Sequence, residues 1–159
     1  MTESLSPLER RLRERRYERA LRTGAEILVG IGIVPSNQRP IPLNELESIW
    51  PRYLTRLRER KGAAEHWSGG EREAVQGRLG QVADSFDARS VVWLALVDSE
   101  PVGFEVPADA ILRAALTYFV SEAGDLMLTS LDTTDGICVE FNHVATGDEY
   151  ELTAWGAFA

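Results

Sequence analysis

Residues Asp125–Gly156, DLMLTSLDTTDGICVEFNHVATGDEYELTAWG, alternate side-chain character in three consecutive runs, and a period of two restricts them to β-strands. Leu126, Leu128 and Ser130 alternate with Met127, Thr129 and Leu131; Ile137, Val139 and Phe141 with Cys138, Glu140 and Asn142; Tyr150, Leu152 and Ala154 with Glu151, Thr153 and Trp155. Between the runs lie Asp132–Gly136 and His143–Asp148, each with a glycine able to take positive φ beside turn-favouring Asp, Asn or Thr. The segment therefore reads as a meander of two hairpins, one face buried and the other partly wet.

Upstream, the pattern is helical. Ser6, Pro7 and Glu9 form a capping-box start for a helix running to about Leu28, with charged residues over a wide polar face. Ile27–Val34 continues it into the core and ends before Pro35. Pro35, Pro40 and Pro42 mark an extended connection. A second helix is expected from Asn44, its cap, to Lys61, with Leu46, Ile49, Trp50, Tyr53, Leu54 and Leu57 inward and Pro51 kinking or restarting it. Ala63–Gly70 reads as a loop and Glu71–Phe86 as a third helix. Val91–Val97, apolar on both faces, is a central strand with Trp93 in the core. A turn at Asp98–Pro101 leads to the strand Val102–Val106, then to a helix, Ala108–Val120, closed by Gly124.

This order gives an α+β chain in which N-terminal helices precede a mostly antiparallel sheet of about five strands with one inserted helix, the helices lying on one face. The 159 residues suit a single globular domain, 1–86 mainly helical and 87–159 sheet-rich. The longest apolar run, Ile27–Val34, falls far short of the roughly 20 residues of a bilayer span, and the start lacks a secretory pattern. A cytoplasmic protein without membrane association is expected.

Charge is divided sharply along the chain. Residues 1–62 hold 13 basic and 8 acidic side chains, while from Ser90 onward Arg113 is the only Lys or Arg against twelve acids. An acidic surface suited to a basic partner, or docking of one half on the other within or between copies, follows from this asymmetry. The arginine-rich first helix is interleaved with glutamates in a chain of net charge −8, so nucleic acid is not an expected partner. Cys138, alone and within a strand, reads as a packed side chain. His66 and His143 lie far apart, and neither they nor the acids around His143 have metal-ligand spacing. Gly30-Ile31-Gly32 lacks the preceding strand and third glycine of a dinucleotide loop, and the common hydrolase, phosphate-loop and redox motifs are absent. No catalytic residue, cofactor or metal is assigned.

In size, acidity and α+β build the chain resembles, in general character, bacterial immunity proteins, which block toxins made by neighbouring cells. That resemblance implies a non-enzymatic intracellular interaction domain acting on a basic protein; the alternative is a small enzyme or ligand-binding domain with a pocket between sheet and helices. The expected contact residues are Glu140, Glu149 and Glu151 on the meander, Asp132, Asp135 and Asp148 in its turns, and Trp155, which near a strand end suits either an exposed aromatic anchor or a buried core side chain. A homodimer is the other assembly this charge pattern allows.

Overall fold

The computed structural model describes residues 4–68, 71–86, 89–120, 124–144 and 147–159, with the backbone alone for Val120, His143 and Val144. In chain order the elements are α1 (Pro7–Gly30), β1 (Arg39–Pro40), α2 (Leu43–Arg60), β2 (Glu65–Ser68), α3 (Arg72–Ser85), β3 (Ser90–Val97), β4 (Glu100–Pro107), α4 (Ala108–Arg113), α5 (Ala115–Val120), β5 (Leu126–Thr129), β6 (Gly136–Val144) and β7 (Gly147–Trp155). The strands form one seven-stranded sheet in the order β1-β4-β3-β5-β6-β7-β2, with every neighbouring pair antiparallel.

The α+β class and the antiparallel sheet match the sequence reading, but the strand count does not. The two additional strands are the sheet's edges, and both come from stretches read as connection or loop. Arg39–Pro40 pairs with Glu105 and Phe104 of β4, and Glu65–Ser68 pairs with Glu149–Leu152 of β7. Runs of two and four residues are too short to carry a legible period.

Helices cover both faces of the sheet, which corrects the expectation of one. The register explains why. Val92 and Leu94 of β3 point to one side and Val91, Trp93 and Ala95 to the other, and all five are buried. A strand apolar on both sides needs a layer on each.

α2 covers the first side. Its Leu46, with Ile41, meets Gly103 of β4; its Tyr53 hydroxyl donates to the Ile137 carbonyl of β6 at 2.9 Å, and the Tyr53 ring lies 5.4 Å from Trp155. The second side takes α1, α4 and α5. Gly24 of α1 lies directly against Val102 and Phe104, where a Cβ would come within 2.9 Å of the Phe104 ring. Trp93 meets Tyr118 of α5 edge-on at 6.0 Å, and Phe119 stacks on Phe141 at 5.4 Å. α3 packs on α4, and Phe86 at its end stacks on Phe158 at 4.2 Å.

Several local details differ from expectation. The capping box forms, with Glu9 N–H donating to the Ser6 hydroxyl and Ser6 N–H to the Glu9 carboxylate. α2, however, starts after Pro42 without a side-chain cap; Asn44 lies inside the helix, and α2 runs on through Pro51. The β3–β4 turn is only Asp98–Ser99, both at positive φ, so Glu100 and Pro101 already pair with Val97 and Leu96. The inserted helix breaks at Ala114 into α4 and α5. Among the described residues no helix is long and apolar enough to cross a membrane.

The interior of α3 holds Gly77, exposed and with nothing within 4 Å of the position a Cβ would take. Gly77→Ala should raise stability by about 0.4–1 kcal/mol through lost freedom of the unfolded chain. A urea midpoint that falls would mean that α3 is not helical there.

Candidate functional site

On the side covered by α2, the strands beyond the end of that helix present a row of polar side chains. Alternation along β6, β7 and β2 puts Glu140 and Asn142, Glu149 and Glu151, and His66 and Ser68 on this side. The register sets Glu140 opposite Glu151, which is opposite His66, and Asn142 opposite Glu149, which is opposite Ser68. With Glu71, the members of this corner other than Glu140 line a groove of about 290 Å³.

Two glutamates directly opposite on neighbouring strands repel each other. Partial neutralisation comes from outside the pair, where Lys61, just past α2, binds Glu140 at 3.0 Å; the His66 ring lies beside Glu151, Nδ1 at 3.9 Å. Asp125, immediately before β5, accepts from Phe141 N–H at 3.4 Å. Burial, and secondarily the Glu140 charge, hold its carboxyl above the usual carboxylate range. Glu149 is exposed and has no ion-pair or hydrogen-bond partner among the described residues.

Of the seven contact residues expected from sequence, only Glu140, Glu149 and Glu151 come together here. Asp148 alternates to the opposite side of β7, where it meets Arg72 of α3 at 3.7 Å. Asp132 and Asp135 sit at the far end of β6, about six residues or 20 Å along the strand. There they build the turn. Asp132 accepts from the Ser130 hydroxyl, the Thr134 hydroxyl and Thr134 N–H, bonds that pull its carboxyl down to about 2. Asp135 accepts from Ala157 N–H at 2.8 Å. Trp155 is buried, its indole N–H donating to the Thr133 carbonyl at 3.1 Å, which removes it as an exposed anchor.

No family model, curated protein or solved structure matches the chain.

The sequence reading missed His66, Ser68, Glu71 and Asn142. The first two lie on β2, which the following Gly69-Gly70 disguised as loop; residues 69 and 70, 145 and 146, and the His143 side chain lie outside the described residues. Among the described residues no group of three or more His, Cys, Asp or Glu is placed to hold a metal ion. Cys138 is buried, and desolvation pushes its thiol up to about 12, well away from nucleophilic character.

A second concavity of about 290 Å³ lies between α1, α2 and the start of β4, lined by Tyr17, Leu46, Trp50 and Pro101 with Arg13 and Glu47 at its rim. Its charges are internally matched: Arg13 pairs with Glu47 at 3.2 Å, and nearby Arg16 with Glu100 at 3.6 Å.

Proposed function

We propose that the protein is an intracellular, non-enzymatic interaction domain, of the general kind represented by bacterial immunity proteins, which binds a basic protein through the acidic corner of β6, β7 and β2. The observation carrying this reading is Glu149 and Glu151 side by side on an exposed sheet corner, with Glu140 opposite Glu151 and fewer cations than carboxylates around them. Such an arrangement disfavours the isolated fold and favours an approaching cation. The groove offers room for an Arg or Lys side chain between Glu149, Glu151 and Glu71.

Glu149→Gln with Glu151→Gln should slow association with the partner by about tenfold at low salt and flatten its ionic-strength dependence, leaving the unfolding midpoint unchanged or higher. The check is affinity capture with the wild-type chain, followed by stopped-flow association of the captured protein with both variants. Identical rates and salt dependence would remove the acidic corner from the mechanism.

The second reading, a small-ligand domain, draws on the apolar concavity beside Trp50. It ranks lower because the polar groups at that rim already satisfy one another, whereas the acidic corner has charge to spare.

A further inference from the structure

The first half of α1 is held to the body by ion pairs of Arg13 with Glu47 and of Arg16 with Glu100, and is otherwise exposed. Between Pro7 and Arg16 only Arg13 is partly covered, and burial begins at Tyr17. Leu8 and Leu12 lie on the outward side, 67% and 49% exposed. At 3.6 residues per turn, Arg11, Arg15, Arg19 and Arg22 share with those leucines an arc of about 100°. All four arginines are exposed, and none has an ion-pair or hydrogen-bond partner among the described residues. Like charges at i,i+4, as in Arg11–Arg15 and Arg15–Arg19, work against the helix that carries them. Glu14, Glu18 and Glu26 lie one turn from Arg11, Arg15 and Arg22, but none of them forms an ion pair with the row among the described residues, and Arg11, Arg15 and Arg19 follow one another at i,i+4.

We infer that this face of α1 docks an acidic amphipathic helix of a partner protein. The four cations repeat at helical pitch, so carboxylates spaced i,i+4 on a facing helix meet them in turn. Leu8 and Leu12 supply the apolar contact that such a helix seals with its own apolar residues. A lipid surface fits less well, because two leucines hemmed by arginines give too narrow an apolar face to insert. A nucleic acid gains nothing from the leucines and meets a molecule of net charge −8. In a second copy, α1 against α1 sets arginine on arginine, and the acidic corner offers polar side chains where the leucines need an apolar counterpart. The surface is separate from that corner: Arg13 and Arg16 tie the first half of α1 to Glu47 of α2 and Glu100 of β4, whereas the corner lies on β6, β7 and β2.

The probe is a synthetic helical peptide of about 14 residues, leucines at i, i+3 and i+7 flanked by glutamates, titrated into the full chain by fluorescence anisotropy. The wild type is expected to bind, and R15E with R19E to lose about tenfold or more in affinity. Leu8→Gln should weaken binding, as should a peptide of the same composition with its leucines moved off one face. E149Q/E151Q should bind the peptide as the wild type does, so that this surface and the acidic corner stand or fall separately. Equal affinity for R15E/R19E, or for the scrambled peptide, overturns the inference. Tighter binding to phosphatidylserine vesicles or duplex DNA than to the peptide, or α1-dependent self-association, overturns it as well. Circular dichroism of the variants should match wild type, since every substituted side chain is exposed.

Discussion

Trp93→Ala is expected to remove about 3–5 kcal/mol of stability, the range for truncating a fully buried large aromatic. Trp93 lies on an interior strand and touches several layers at once. Its ring is 5.9 Å from Phe104 of β4 and 6.0 Å from Tyr118 of α5, and it is wholly shielded from solvent. The indole N–H donates to the Tyr118 hydroxyl, which donates in turn to the Asp125 carbonyl. Alanine therefore leaves a cavity and also strips a partner from a buried hydroxyl, two penalties of different origin. Against a typical total of about 5–15 kcal/mol, the loss is a large fraction of the domain's stability. Urea unfolding should show a much lower midpoint with an unchanged slope; an unchanged midpoint would contradict the placement of β3 in the sheet interior. Trp93→Phe, which keeps most of the volume and gives up the N–H, should fall between the two.

The sequence signals that proved legible were those with enough residues to establish a period. Ile137–Phe141 and Tyr150–Ala154 alternate, and they form β6 and β7 with the predicted faces. Val91–Val97 is apolar throughout and is buried on both faces. What remained hidden was set by long-range pairing. Glu65–Ser68 becomes a strand only because β7 presents an open edge to it, and no local propensity announces that.

The same limit explains the site. Acids were countable along the chain, but a residue's side of the sheet depends on its parity in the register, which separates Asp148 from Glu149 completely. Asp132 and Asp135 illustrate the other hidden factor, because an Asp in a turn spends its oxygens on the backbone and hydroxyls beside it. Trp155 was ambiguous from sequence for the opposite reason. An aromatic residue near a strand end suits either an exposed anchor or a core plug, and the deciding neighbour is a glycine on the next strand.

That glycine, Gly136, should not tolerate a side chain. It lies opposite Trp155 in the β6–β7 register, and a Cβ there would overlap the indole ring. Gly136 does not occupy positive φ, so the requirement is for space and not for backbone freedom. The ring has no easy retreat: its N–H is fixed to the Thr133 carbonyl, and its face is held by Tyr53 of α2. Overpacking of this kind costs about 1–3 kcal/mol, and breaking the indole hydrogen bond adds about 1, so Gly136→Ala is expected to destabilise by about 2–4 kcal/mol. The sign is opposite to that expected for Gly77→Ala, although both are glycine-to-alanine changes. A double-mutant cycle with Trp155→Phe identifies the cause. If the methyl group acts by striking the indole, the smaller ring accommodates it, and Gly136→Ala should cost distinctly less in the Trp155→Phe background than in the wild type. Equal costs in the two backgrounds would place the strain in the backbone of β6, and Gly136 would then owe its place to something other than Trp155.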